Sequence, residues 1–238
     1  MMEKSKKKKL CFRIFGIALL ILGFITAVYP FFMNYLKTSE ANREIERFDS
    51  IVESNDQNSD NPLLSELYRV LSQYNADLLK NGQDIKGSAE FDDFGIDLTK
   101  YGLERDVIGV IEIPKINIKL PLYLGADRPD MYRGAAVIAK TSAPIGGKGT
   151  NCVVAGHRGY VGMEIFNNID KLSGGDKIYI RNPFGTLTYE VVYSKVTEKN
   201  DLSMIKIDEN EDTLSLMSCH PYRINTKRLF VVCKRTVN

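Results

Sequence analysis

The residues from Ile14 to Met33 carry no charge, while Lys4, Lys6, Lys7, Lys8, Lys9 and Arg13 crowd the stretch before them. As a helix rising about 1.5 Å per residue, this run spans roughly the 30 Å hydrocarbon core of a bilayer. It reads as a transmembrane helix over 14–36, with Pro30 near the far end, where a kink is tolerated. Basic residues on the near side then put everything after about residue 36 outside the cell. The alternative is a cleaved signal peptide, but the run is longer than the apolar part of such a peptide and no clear A-x-A site follows it.

Charge separates the two parts of the chain. Lys and Arg total 32 against 30 Asp and Glu, a net charge of +2, and the first thirteen residues alone supply +5. The exported remainder is therefore at −3, which disfavours nucleic acid as a partner. With 238 residues, 44% of them hydrophobic, the chain can build one ordinary domain plus an extra segment.

Beyond the basic segment 1–13 and the span 14–36, residues 37–82 read as an extracellular helical stalk. Ile45, Phe48 and Ile51 or Val52 recur at helical spacing, and NDQNSDNP interrupts them. Asn61 can cap a second helix that has Pro62 at its first position. Its apolar stripe is Leu63, Leu64, Leu67, Val70, Leu71, Tyr74 and Leu78, and it stops before Gly82. Residues 83–104 lack a sustained period and read as a long loop. From 105 to 238 the texture changes to short runs rich in Val, Ile and Tyr, divided by Pro, Gly and Asn: VIGVIEIP, IKLPLYLG, AAVIA, NCVVAGH, DKIYIRN, TLTYEVVYSKVTE, DTLSLMSC and RLFVVCKR. Many short strands with few helical insertions predict a mainly β domain, a closed barrel or a sandwich. A compact helix or turn is expected in EIFNNIDKL.

Histidine occurs only at His157 and His220, so imidazole chemistry has two candidates. Cys152 and Cys233 lie inside apolar strand runs, where a cysteine usually serves as a small hydrophobe, with a disulfide between them as the alternative. Cys219 instead closes a strand run before the polar turn HPYRINTKR. His157 follows the strand end VVAG, and Arg228 opens the last strand. A nucleophile, a proton shuttle and a fixed positive charge thus all stand at strand boundaries, where a barrel can converge them. Taken singly, a histidine after a strand is more often an exposed turn residue and a lone arginine surface charge. A metal site from His157, Cys219 and His220 lacks any CxxC or HxxxH spacing, and none is expected.

The stretch from Val107 to Arg235 resembles the sortases, membrane-anchored cysteine transpeptidases of Gram-positive cell surfaces. The likeness is carried in order by IGVIEIPKINIKLPLYLG, APIGGKGTNCVVAGHRG, LSGGDKIYI and TLSLMSCHPYRINTKRLFVV, and is greatest to class C, the pilin polymerases. The resemblance implies a closed eight-stranded sortase-type β-barrel as catalytic domain at 105–238. It also implies His157 as the family histidine, Cys219 as the nucleophile and Arg228 as the essential arginine, with no cofactor. Class C members carry an Asp-Pro-aromatic motif in a lid loop. The loop at 83–104 corresponds, with Asp92 as lid acid, Phe94 as aromatic plug and Asp93 in place of the proline. Two further departures are Ser218 before the cysteine and His220 and Arg223 after it, where small or neutral residues are common.

The activity implied is cleavage of an LPXTG-like sorting signal through a thioacyl-enzyme, followed by transfer to an amine. The partners would be sorting-signal-bearing surface proteins or pilins, with a pilin lysine as acceptor. An anchoring sortase would instead use a cell-wall precursor, and a catalytically silent, membrane-tethered binding scaffold would use neither. A papain-like protease fits poorly, because there the cysteine precedes the histidine and starts a helix. Reference pKa values near 8.5 and 6.5 make a thiolate–imidazolium pair only about one percent of the neutral pair, a balance the site must tune or tolerate.

Overall fold

The computed structural model describes residues 2–56, 61–83, 94–104, 106–126, 131–159 and 165–236. Two helices lead into eight strands. Helix α1 (Met2–Asp56) continues without a break through Pro30. Its outer part, from Phe12 to Ser54, contains the one described helix long and apolar enough to cross a membrane. Phe12, Leu20, Phe24 and Phe31 along it are open to the surroundings. Further on the same helix meets the barrel, and Ala41, Ile45 and Phe48, at helical spacing, become buried. Glu44 on that stretch accepts a hydrogen bond from the Tyr123 hydroxyl and pairs with Arg133, while Asp49 pairs with Arg181.

Helix α2 (Pro62–Asn81) begins as its sequence predicts. The Asn61 side chain accepts from the Leu63 amide at 2.9 Å, with Pro62 in the first turn, where its missing N–H costs nothing. Its buried face is narrower than the apolar stripe suggests: Leu67 and Leu71 are buried, but Leu63 is half exposed. The next buried position is polar. Asn75 accepts from the Ala143 amide at 2.7 Å and donates to the Ala143 carbonyl at 3.4 Å, so a side-chain amide satisfies a loop backbone that has no strand partner there. At the helix start, Tyr68 meets Phe184 edge-on with ring centroids 5.1 Å apart.

The strands are β1 (Val107–Ile113), β2 (Ile118–Leu124), β3 (Ala135–Val137), β4 (Thr150–Ala155), β5 (Lys177–Asn182), β6 (Gly185–Glu198), β7 (Asp212–His220) and β8 (Lys227–Arg235). All eight fall on the runs singled out in the sequence, and EIFNNIDKL contributes a short 3-10 turn at Ile169–Lys171. They close in the order β1-β2-β3-β4-β7-β8-β6-β5, which leaves no free sheet edge. Two pairings are parallel, β2 with β3 and β4 with β7, and the rest are antiparallel. Ile108, Ile111, Leu122, Val154, Leu214, Leu216 and Val231 are almost wholly buried, each such side chain stabilising the fold by about 1.5–3 kcal/mol.

Cys152 and Cys233 are both free and buried. Each stands opposite Leu214, one from β4 and the other from β8. Two strand spacings, about 9.5 Å, separate them, which is beyond the Cα range of a disulfide. The disulfide alternative is thereby set aside.

Candidate active site

The parallel ladder between β4 and β7 sets the geometry of the site. Its last pair is Ala155 with Met217. One step further, the Gly156 amide donates to the Met217 carbonyl at 3.1 Å and the Ser218 hydroxyl to the Gly156 carbonyl at 2.7 Å. Two steps past the pair stand His157 on one strand and Cys219 on the other. On the opposite side of β7, the antiparallel register of β8 puts Arg228 directly across from Cys219. Cys219 and Arg228 are thus neighbours across β7 and β8, about 5 Å apart, and His157 follows the end of β4 on the other side of β7.

Strand alternation decides which face they use. Leu214, Leu216 and Ser218 on β7 are buried; of the side chains pointing the other way Ser215 is buried, whereas Met217 and Cys219, nearer the strand end, are partly open. Cys219 is a free thiol with access to solvent. Ser218, in the place usually held by threonine in the resembling family, turns its hydroxyl inward to tie β7 to the residue before His157.

His157 is half-buried, and removal from water holds its imidazole below the usual histidine range. Its ring stacks on Tyr132, with centroids 4.8 Å apart and planes at 26°. Two glycines make room for this arrangement. A Cβ on Gly134 would fall 2.5 Å from the Pro121 carbonyl oxygen, so only glycine lets the segment carrying Tyr132 run so close to β2. A Cβ on Gly156 would fall 2.6 Å from the Phe166 ring, which covers the turn into His157. That turn is closed by the Phe166 amide, which donates to the His157 carbonyl at 2.9 Å. Arg228 is half-buried and donates to the Lys227 carbonyl at 3.2 Å, while Lys227 pairs with Glu198 at 2.8 Å.

Of the two expected lid residues, Asp92 lies outside the described residues. Phe94 is buried, and its ring leans on Tyr74 of α2, centroids 5.0 Å apart at 38°. The Tyr74 hydroxyl accepts from the Lys140 amide at 2.9 Å, and burial pushes its pKa up to about 12. Lys140 is next to Thr141, whose hydroxyl meets the Val153 amide, four positions before His157. The structure thus sets Arg228 across from Cys219 and His157 two residues past the end of β4, and records Phe94 at the seam between α2 and the barrel.

Chemically, a partly exposed thiol beside a neutral imidazole and a guanidinium can attack a carbonyl carbon, pass a proton and steady the resulting oxyanion. Burial of the imidazole makes it a weaker resting base for a thiol proton. Among the described residues no group of three or more His, Cys, Asp or Glu is placed to hold a metal ion. Two neighbours of the site went unnoticed in the sequence, Tyr132 and Arg158. Tyr132 precedes a strand of only three residues and has no periodic signal. Arg158 follows His157, and its partners lie well along the chain.

A family model described as a sortase domain matches residues 111–236. Sortase D of Bacillus subtilis (strain 168) is 32% identical over 114 residues, covering 48% of this chain and 54% of that protein. The chain thus spans about half the length of this curated relative. Among solved structures, sortase C1 of GBS pilus island 1 superposes with a TM-score of 0.72 at 29% identity, covering 83% of this chain and 93% of that one. Sortase C-1 from Streptococcus pneumoniae gives 0.72 at 29%, covering 82% and 99%.

Proposed function

The chain belongs to the sortase family of cysteine transpeptidases, and we propose that it is a membrane-anchored member that cleaves an LPXTG-like sorting signal and passes the acyl group to an amine. The observation that carries this reading is the pairing of Cys219 with Arg228 across β7 and β8, with His157 two residues past the last β4–β7 pair. The Cys219 sulfur attacks the threonine carbonyl carbon of the signal, forming a C–S bond, and the negative charge moves to the carbonyl oxygen. Arg228 donates to that oxygen; its guanidinium stays charged and directional where a lysine would offer a flexible point charge. As the tetrahedral centre collapses the C–N bond breaks, and the proton delivered through His157 leaves on the departing amine. An incoming amine then attacks the thioester, His157 takes its proton, and the C–S bond breaks to restore the thiol.

A pilin lysine as the incoming amine is supported by the C-type sortases among the similar structures, one of them from a pilus island. A cell-wall precursor is the second reading. It is favoured by Asp93 standing where the lid motif has proline and by the contact of Phe94 with Tyr74. The apolar helix at the N-terminus supports anchoring with the barrel outside the cell. Incubating the protein with sorting-signal peptides and either a pilin-like substrate or a cell-wall amine tests both. A ladder of covalent pilin multimers is expected; transfer to the wall amine alone would favour anchoring, and no covalent product with either would leave the binding-scaffold reading standing.

A further inference from the structure

Arg158 follows His157 immediately and is 7% exposed, an expensive place for a guanidinium unless each of its edges is used. It is. Its Nη2 pairs with Asp170 Oδ2 at 2.7 Å, its Nε donates to the Asn167 carbonyl at 3.2 Å, and its Nη1 lies 3.1 Å from His220 Nδ1. The guanidinium also sits 5.9 Å from the centre of the Tyr222 ring. The turn is fixed further by the Gly159 amide, which donates to Asn167 Oδ1 at 2.7 Å. One planar group therefore joins the residue after the candidate proton shuttle to the residue after the candidate nucleophile, and braces both on the 167–170 segment.

We propose that Arg158 is a positioning residue for the transpeptidase reaction: through His220 it holds the Cys219 end of β7 against the His157 turn. This rests on the transpeptidase reading. Arginine is a donor only, so the contact is a hydrogen bond in which His220 Nδ1 presents its lone pair.

Arg158 faces His220 from the His157 turn, with Asp170 engaged by the far side of that guanidinium. Lys227 is its register partner on β8, with Glu198 of β6 on the Lys227 ammonium. Cys219 precedes it on its own strand, and Tyr222 and Arg223 follow in the turn, the Arg223 guanidinium lying over the Tyr222 ring.

The test compares His220→Leu, which removes the acceptor, with His220→Asn, whose amide oxygen can replace it. The readout is the rate at which the full-length protein is acylated by a sorting-signal peptide, followed by intact mass. His220→Leu should lower the maximal acylation rate about tenfold with KM nearly unchanged, and His220→Asn should restore it to within about twofold. Arg158→Lys, which keeps the charge but not the three-way fork, should behave like His220→Leu. Equal rates for the Leu and Asn variants would overturn the proposal. If the wild type forms no adduct at all, the transpeptidase reading fails instead. The clamp is then read from iodoacetamide labelling of Cys219, where the same order of variants is expected and equal rates would refute it.

Discussion

Three cysteines outside the first helix sit on three adjacent strands, and their height along the barrel and the face they use separate a filler from a reagent. Cys152 and Cys233 flank Leu214 in mid-barrel, where burial pushes both thiols well above their ordinary range. Cys219, five residues further along β7, is partly open and faces Arg228. The two ends of the same ladder differ as much. At the start of β4 and β7, Asp212 accepts from the Tyr189 hydroxyl at 3.0 Å, the Gly147 amide at 2.8 Å and the Thr150 hydroxyl at 3.3 Å. That end is closed by its own hydrogen bonds. At the far end the chain leaves a thiol across from a guanidinium, with an imidazole two residues past the end of β4. A strand end, where the ladder stops competing for space, is where a barrel can present chemistry.

The contrast can be broken first at the thiol. Cys219→Ala should abolish the covalent adduct with a sorting-signal peptide by mass spectrometry, while Cys152→Ala should leave it intact. Next comes the charge across the strand: Arg228→Lys should slow acylation by about 10²–10³-fold in steady-state assays, the usual cost of losing one oxyanion donor. At the closed end, Asp212→Asn sets an amide N–H against the donors it now accepts. It should lower stability by about 1–3 kcal/mol in denaturant unfolding, with labelling of Cys219 unchanged.

A smaller effect sharpens the role of Tyr132. Because burial lowers the His157 pKa, the folded state binds fewer protons than the unfolded chain. Stability is therefore full above the unfolded value near 6.5 and is lost as the pH falls through the lowered one. Tyr132→Ala opens the ring to water, so NMR titration should show the His157 pKa rising toward 6.5, and the acid-side loss of stability should shrink.

Local patterns made much of this fold readable in advance. The eight strands followed from runs of Val, Ile and Tyr between turn residues, and the start of α2 from Asn61 and Pro62. Barrel order was another matter: that β4 lies parallel to β7, some sixty residues later, depends on closing the sheet and leaves no local mark. For the same reason strand boundaries pointed to His157, Cys219 and Arg228 as candidates, and the family likeness supplied their expected roles, but only the register set Arg228 across from Cys219 and the end of β4 beside β7. Asn75 was hidden inside an apolar stripe, because its partner is a loop carbonyl and amide at Ala143. Tyr132 and Arg158 were silent because each acts on residues that only tertiary packing brings near. Phe94 was assigned from its place in a loop motif, and the contact that holds it is a tyrosine on α2.

Labelling the folded protein with iodoacetamide and counting modification at each cysteine by peptide mapping tests most directly whether one thiol is set apart by a histidine and an arginine at the open end of the barrel. Cys219 should react far faster than Cys152 or Cys233, and His157→Ala should change its rate and pH dependence. Comparable labelling of all three thiols, or a Cys219 rate that ignores His157 at every pH, would contradict it.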